Sequence, residues 1–471
     1  MVDYPLFTSV ALKQLFNHSS DIVVKEDKED LQIIMVYCVP LTDTSMIKTI
    51  NIPEVGRTEQ NIYQYVQMES FPKKEFNRER IQEEVFSGKL LAIPPGDKVY
   101  LYDIKKFPSR QPDESVVEVS AVGPKDGFVE DINTNIGLIR KRLRTSSFVV
   151  KEYTIGKRTN TKVGLLYIED IINNEILMDI KTRLSKVDID VLTSSTILTE
   201  YLEPRKFSLI PTIHYSGRAD FIVQALNQGR FAIVVDGSPT ALIAPVDLSL
   251  LFKSAEDENT SFYYASLQRT LRIIGIFTTI LLPGFYTAII THHVGQLPLP
   301  ILATISVSRL GLPFSPLIES LLMVIMFELF FEAGSRLPKG IGQTVSVLGG
   351  LIIGDAAIRG GITSPSMLVV IGITALTSFT LVNRSLAGNL FYFRVFVLLI
   401  SYFFGVYGFF LSFIFIIVYI ARLESFGVPM FSNITTPYGK DILFTFLRIP
   451  NNLLKKRNAG LSIKDGKRKG D

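Results

Sequence analysis

The chain has 471 residues, 47% of them hydrophobic, with a formal net charge of +4 and a mean hydropathy of +0.29. So mild a charge, with no stripe of Lys and Arg among aromatics, excludes a nucleic-acid partner, and the lone Cys38 excludes an intrachain disulfide and fits a reducing compartment. The averages hide a break: to about Ser261 the chain is mixed and charged, and from Leu271 to about Ile420 Leu, Ile, Val, Phe and Gly dominate, which predicts a soluble part followed by a membrane part.

The opening residues, MVDYPLFTSVALKQLFNHSS, hold no apolar signal-peptide core, so the front half is expected to fold in the cytoplasm. DLQIIMVYCV reads as a buried strand and EQNIYQYVQMESF as a helix. KLLAIPPGDKVYLYDI has the pattern of a hairpin turning at PPGD. The charged stretch KKFPSRQPDES predicts a boundary near residue 110, and SVVEVSAV reads as a strand. INTNIGLIRKRLR reads as a helix, capped by Asp131 or Asn133, with Ile136, Ile139 and Leu143 on its apolar face. Arg140, Lys141, Arg142 and Arg144 then make the other surface basic. It is either a solvated face or one that docks an acidic partner or lipid headgroups. Glu130, Asp131, Asn135, Arg140 and Arg142 are the docking candidates.

SFVVKEYTIG and TKVGLLYIED pair as adjacent strands, NNEILMDIKTRLSKVD is an amphipathic helix, and RFAIVVDGSPTALIAPV is a second hairpin. The front half therefore reads as an α+β cytoplasmic region of two small α/β subdomains, 1–109 and 110–262.

An α-helical polytopic membrane domain is expected over 263–432. Leu271–Ile290 has the length of one crossing, and Arg269 and Arg272 at its front end place that end in the cytoplasm. LPLPILATISVSRLGLPFSP is cut by prolines and suits a re-entrant or half helix. Leu317 to about Gly334 is a second long candidate, and Ser364–Val382 a further span with a Ser-Pro start. Val395–Ile420 fits either one tilted helix or a tight hairpin. The basic tail, 433–471, is expected beside the front domain, which makes the number of crossings even.

Charges punctuate the most apolar part. Glu328, Glu332 and Arg336 recur at four-residue steps on one helix face, and Asp355 and Arg359 are again four apart. Glu319 lies about half a turn from that first face and needs another partner. A charge at the bilayer centre costs about 2.5 to 3.5 kcal/mol, so these groups either pair structurally or line a wet ion path or gate. Glu328, Glu332 and Asp355 are the path or gate candidates, with Arg336 and Arg359 as their charge partners. Gly349, Gly350 and Gly354 read as close helix packing.

No GxxxxGK[ST], HExxH, GxSxG or paired CxxC occurs, and the four histidines are scattered. No enzyme activity, cofactor or metal is expected. His292 and His293 read as a polar loop beyond the first span.

GPKDGFVEDINTNIGLIRKR, GRFAIVVDGSPTALIAPV, FELFFEAGSRLPKGIGQTVSVLGGLIIGDAA and SFGVPMFS occur in this order. They resemble the signature blocks of the A subunits of the GerA family of spore germinant receptors, over nearly the whole length. The resemblance implies the spore inner membrane, a multi-span nutrient-binding B subunit, a lipoprotein C subunit, and homo-oligomers of A subunits forming a nutrient-gated ion channel. Two departures stand out: Phe331 takes the place of a usual Arg, and Asp355, with Arg359 after it, that of a usual Gln. A secondary transporter with a cytoplasmic regulatory domain is the alternative from another class, though no internal repeat is visible. A paralogue that amplifies germination without its own nutrient is the nearer rival.

Overall fold

The computed structural model describes residues 7–27, 33–47, 68–106, 122–203, 207–335 and 354–432, with 447–448, 450, 457, 459–461 and 463–467 of the tail. Thr8 caps α1 (Ser9–Leu15), and β1 (Ile22–Asp27) pairs antiparallel with β2 (Ile33–Cys38). After α2 (Thr44–Ile47) come β3 (Met68–Pro72), α3 (Arg78–Phe86), β4 (Lys89–Ile93) and β5 (Lys98–Asp103). The five strands form one antiparallel sheet in the order β1-β2-β4-β5-β3. The PPGD turn is where expected, between β4 and β5, with Gly96 at φ 132. One expectation fails: Met68–Phe71, the end of the segment read as helix, is strand β3, because its backbone pairs along β5 from Tyr102 to Val99. The rest of that segment, and residues 115–121 of SVVEVSAV, lie outside the described residues.

A second sheet is built from β6 (Phe148–Ile155), β7 (Thr161–Ile168), β8 (His214–Ser216), β9 (Phe231–Val235) and β10 (Ala241–Ala244), ordered β6-β7-β9-β10-β8. Its alternating side chains feed two cores. One face packs Leu165 and Ile233 against α5 (Asn174–Lys186) and α6 (Ser195–Leu202) through Ile180 and Leu198. The other packs Leu166 and Val234 against α4 (Ile132–Arg140) and α7 (Ala219–Asn227) through Ile136 and Ile222. That second core does not stop at the sheet. It runs past α8 (Leu248–Phe252) into Ile273, Ile280, Leu386, Phe393 and Leu423, so sheet and helical region share one apolar interior.

The helical region begins with α9 (Phe262–His292), followed by α10 (Leu299–Ser308) and α11 (Pro316–Ser335). Helical residues 354–359 (α12), α13 (Pro365–Ser378) and α14 (Arg384–Ala421) complete it. α13 is shorter than the expected Ser364–Val382 span, though Ser364 caps it as the Ser-Pro signal implies. In α14 the helix breaks at Gly405 (φ 60, ψ −145), a backbone state that favours glycine. Phe393 meets Tyr419 and Phe396 meets Phe415, with ring centroids 5.7 and 5.2 Å apart, so residues on either side of Gly405 face one another. The stretch the sequence left open is a tight hairpin.

Contacts set the directions. Tyr286 bonds Ser366 and Thr279 bonds Thr377, so α13 runs antiparallel to α9. Gly405 lies beside His292, at the end of α9 far from the sheets. After the hairpin the chain returns to the second sheet, where β11 (Glu424–Ser425) pairs with β12 (Val428–Pro429). Ser425 Oγ donates to the Thr212 carbonyl at 2.6 Å and accepts from Val246 N at 2.9 Å.

One joint between sheet and hairpin responds to pH. His214 in β8 is buried, and its Nδ1 accepts from Asn383 Nδ2 at 2.9 Å while Asn383 Oδ1 caps α14. Burial, reinforced by the Arg230 charge, pushes the imidazole down to about 4. Below pH 6.5 the unfolded chain therefore takes up a proton that the folded chain refuses, and stability is lost as pH falls from 6.5 towards 4. Between pH 7 and pH 5 this amounts to about 2 kcal/mol. Thermal unfolding of the detergent-solubilised chain at the two pH values is expected to show this loss, and His214→Gln to remove that share of it. An equal loss in the variant would mean that other groups carry the pH dependence.

Candidate functional site

The site is assembled where α9, α11, α13 and α14 cross. Pro283 stands inside α9 and has no N–H, so the carbonyl of Thr279, four residues earlier, loses its helical donor. Arg394 of α14 supplies the replacement: its Nε donates to Thr279 O at 3.1 Å. The same guanidinium, nearly fully buried, faces Glu328 of α11 at 4.0 Å. On the other side of α9 the Thr279 hydroxyl meets Thr377 Oγ1 of α13 at 2.9 Å. A broken backbone bond, a buried cation, a carboxylate and two hydroxyls thus form one polar node inside apolar helices. Such a node is tolerated among apolar helices only when its groups satisfy one another.

A second polar layer lies farther from the sheets. Glu319 is buried at 1% side-chain exposure and accepts from Arg309 at 2.7 Å, Thr363 Oγ1 at 3.1 Å, and Ser364 N and Oγ at 2.7 Å each. Glu319 therefore has the separate partner that its angular offset demanded. Nearby, Thr287 meets Ser320 at 3.0 Å and Tyr286 donates to Ser366 at 2.6 Å. These bonds tie α9, α11 and the start of α13 together.

The sequence-based candidates are distributed unevenly over this architecture. Glu328 is in the node, where it faces Arg394 of α14. Glu332 is exposed, one turn farther along α11. Arg336, Gly349 and Gly350 lie outside the described residues. Asp355 and Arg359 pair at 2.8 Å along α12, exposed at the surface of the helical region. Gly354 sits close against α13, where a Cβ would come within 3.1 Å of Leu368. His292 approaches the Tyr402 carbonyl at 2.6 Å, and among the described residues no cluster of His, Cys, Asp and Glu could hold a metal ion.

Sequence reasoning missed Arg394. Its one signal was a base isolated in the apolar run LFYFRVFVLL. Nothing local distinguishes such a base from one at a helix end, and only the freed Thr279 carbonyl explains it.

The base of α9 is a further charged junction. Asp257 is buried and receives Arg269 at 3.1 Å and both outer nitrogens of Arg272. The two bases that flank the first span thus share one buried carboxylate. Next to it, Glu256 accepts from Val122 N at 2.6 Å and from Arg218 at 2.7 Å. Partial burial opposes its charge, yet these bonds hold its carboxyl down to about 2. The segment leading into α4 is thereby fastened to the start of the helical region.

The docking reading of α4 needs correction. Asp131 caps the helix, accepting from Thr134 N at 2.8 Å, and the side chains of Glu130 and Asp131 are exposed. Asn135, however, is fully buried and bonds both backbone groups of Val129. Arg140 is also fully buried, ion-paired to Asp21 at 2.6 Å, bonded to the carbonyls of Thr145 and Phe148, and stacked between Phe86 and Phe148. Arg142 is committed to Asp126, its Nη2 donating to both carboxylate oxygens at 2.7 and 2.6 Å. The helix ends at Arg140, so the expected basic face divides. Arg140 points into the seam between the two sheets, where Ser20 N also donates to Val150 O at 2.7 Å. Asn135 and Arg140 are therefore unavailable to a partner.

A head of two antiparallel sheets is thus fused through a shared core to a bundle of apolar helices with buried ion pairs. Among the described residues two helices are long and apolar enough to cross a membrane, although the second is the hairpin broken at Gly405. That is the architecture of a membrane-associated protein with a folded head. The chain belongs to the GerA family: the family model described as Bacillus/Clostridium GerA spore germination protein matches residues 10–459. It is 41% identical to Spore germination protein XA of Bacillus anthracis, over 94% of this chain and 92% of that one. It is 38% identical to Spore germination protein B1 of Bacillus subtilis, over 80% of this chain and 78% of that one. Among solved structures, the N-terminal domain of the A subunit of the Bacillus megaterium spore germinant receptor GerK3 is similar at 26% identity, with a TM-score of 0.37, covering 50% of this chain and 92% of that one.

Proposed function

We propose that this chain is the A subunit of a nutrient germinant receptor of the spore inner membrane. It works with a multi-span B subunit that binds the nutrient and a lipoprotein C subunit, and copies of it assemble into a nutrient-gated ion channel. Family membership over residues 10–459 carries the germination role. The node of Thr279, Glu328 and Arg394 supports the ion-path reading, because a charged cluster at a helix break is a place where a small rearrangement exposes polar groups. Glu328, Glu332 and Asp355 are the acidic groups proposed to meet the ion, with Arg394 and Arg359 as the bases that balance two of them. The head lies on the cytoplasmic side and transmits through the Asp257 junction.

The test is potassium release from spores lacking the gene, against a panel of amino acids and sugars. Loss of release for one nutrient class supports the receptor and names its germinant. Normal triggering with slower release for every nutrient assigns the chain to the amplifying paralogue. Unchanged release with a lost solute uptake overturns the channel and favours a transporter.

A further inference from the structure

We infer that Phe207 anchors the head of this protein to the bilayer, inserting between lipid headgroups at the level where the hairpin leaves the membrane. The inference rests on the membrane reading of the helical region. Phe207 is the most exposed large apolar side chain among the described residues, at 97%, although it belongs to the otherwise well-packed second sheet unit. An aromatic ring that exposed to water loses the burial that drives folding.

Its position explains the exposure. Leu209 N donates to the Tyr419 hydroxyl at 2.9 Å, and Tyr419 lies two residues before the end of α14. The segment carrying Phe207 is therefore held against the sheet-proximal end of the hairpin. Other groups at that end have the composition of a membrane–water boundary. Tyr392, next to the Phe393 ring that touches Tyr419, is 58% exposed, and Arg422, the residue capping α14, is exposed. Aromatic rings with a nearby base are what the headgroup layer favours. The occupant of this surface is thus the bilayer that holds the chain's own helices, with anionic headgroups favoured by Arg422.

The chain contains no tryptophan, so a single introduced Trp reports its own surroundings. Three full-length variants are reconstituted in vesicles of phosphatidylglycerol and phosphatidylethanolamine. Phe207→Trp tests the anchor, Phe410→Trp places a probe on the exposed face of the hairpin, and Val10→Trp places one on the exposed face of α1. The expected result for Phe207→Trp is emission to the blue of Val10→Trp, with intensity lost on replacing the lipid by one brominated near the headgroup end of its chains and little quenching by iodide. Emission and iodide quenching equal to those of Val10→Trp overturn the inference. Blue emission that brominated lipid does not quench also overturns it, because protein then covers the ring. If Phe410→Trp escapes quenching by lipids brominated along the chain, the membrane reading itself fails and takes the inference with it. Loss of the Phe207→Trp signal alone leaves that reading standing and removes only the anchor.

Discussion

Arg394→Met is expected to destabilise the helical region by about 3 kcal/mol and to abolish gated potassium release. Methionine fills much of the same volume, so the loss is one of charge and hydrogen bonding. Removing the guanidinium strands the Thr279 carbonyl that Pro283 has already deprived of its helical donor, and leaves Glu328 without the cation it faces. Breaking a buried pair from one side costs about 3 to 5 kcal/mol because an uncompensated charge remains. The lower end applies here, because Glu328 is half-buried and 4.0 Å from its partner. Two further variants isolate the cause. Glu328→Gln combined with Arg394→Met should recover much of the thermal stability in detergent. Pro283→Ala combined with Arg394→Met should recover a different share by restoring an N–H to Thr279 O. If neither second change helps, the node is not what Arg394 supports.

Arg140→Met is expected to have the larger effect on the head, about 3 to 5 kcal/mol. Arg140 and Asp21 are almost wholly shielded, and the Asp21 carboxylate also accepts from Ser19 Oγ at 2.5 Å, with Cys38 Sγ 3.8 Å away. Burial pushes the Cys38 thiol up, so it offers no charge of its own to the cluster. Methionine would leave Asp21 without its cation and release the carbonyls of Thr145 and Phe148. The two sheets meet at this point, so the measurement is limited proteolysis alongside thermal unfolding. Faster cleavage between the sheets is expected, with partial recovery when Asp21→Asn is added. Arg140→Lys should fall between, keeping the charge but not the fork of donors. Unchanged cleavage in Arg140→Met would show that the seam does not depend on the pair.

Legibility followed the range of the interaction. The hairpins at β4–β5 and β9–β10, the pairing of β6 with β7, and the cap of α4 by Asp131 were readable because alternation, turn residues and capping act within a few positions. The Asp355–Arg359 pair was readable for the same reason. The region Met68–Phe71 was misread because its strand state depends on β5, about thirty residues away. Arg140 was misread because a base at the end of an amphipathic helix looks solvated until its carboxylate, 119 positions earlier, is brought beside it. Arg394 and the hairpin at Gly405 share that origin. A glycine in an apolar run does not announce a reversal, and the ring contacts that hold this one join residues far apart in the chain.

The amino-acid sequence by itself determined the division into a charged head and an apolar helical region, most of the local elements, and membership of the GerA family through its ordered blocks. Tertiary structure alone decided which buried charges meet which partners: Arg394 with Glu328 and a freed carbonyl, Arg309 with Glu319, Arg269 and Arg272 together with Asp257, and Arg140 with Asp21. The reason is physical. Periodicity and turn chemistry are local properties of a chain, whereas a buried charge is tolerated only through a partner that packing brings to it.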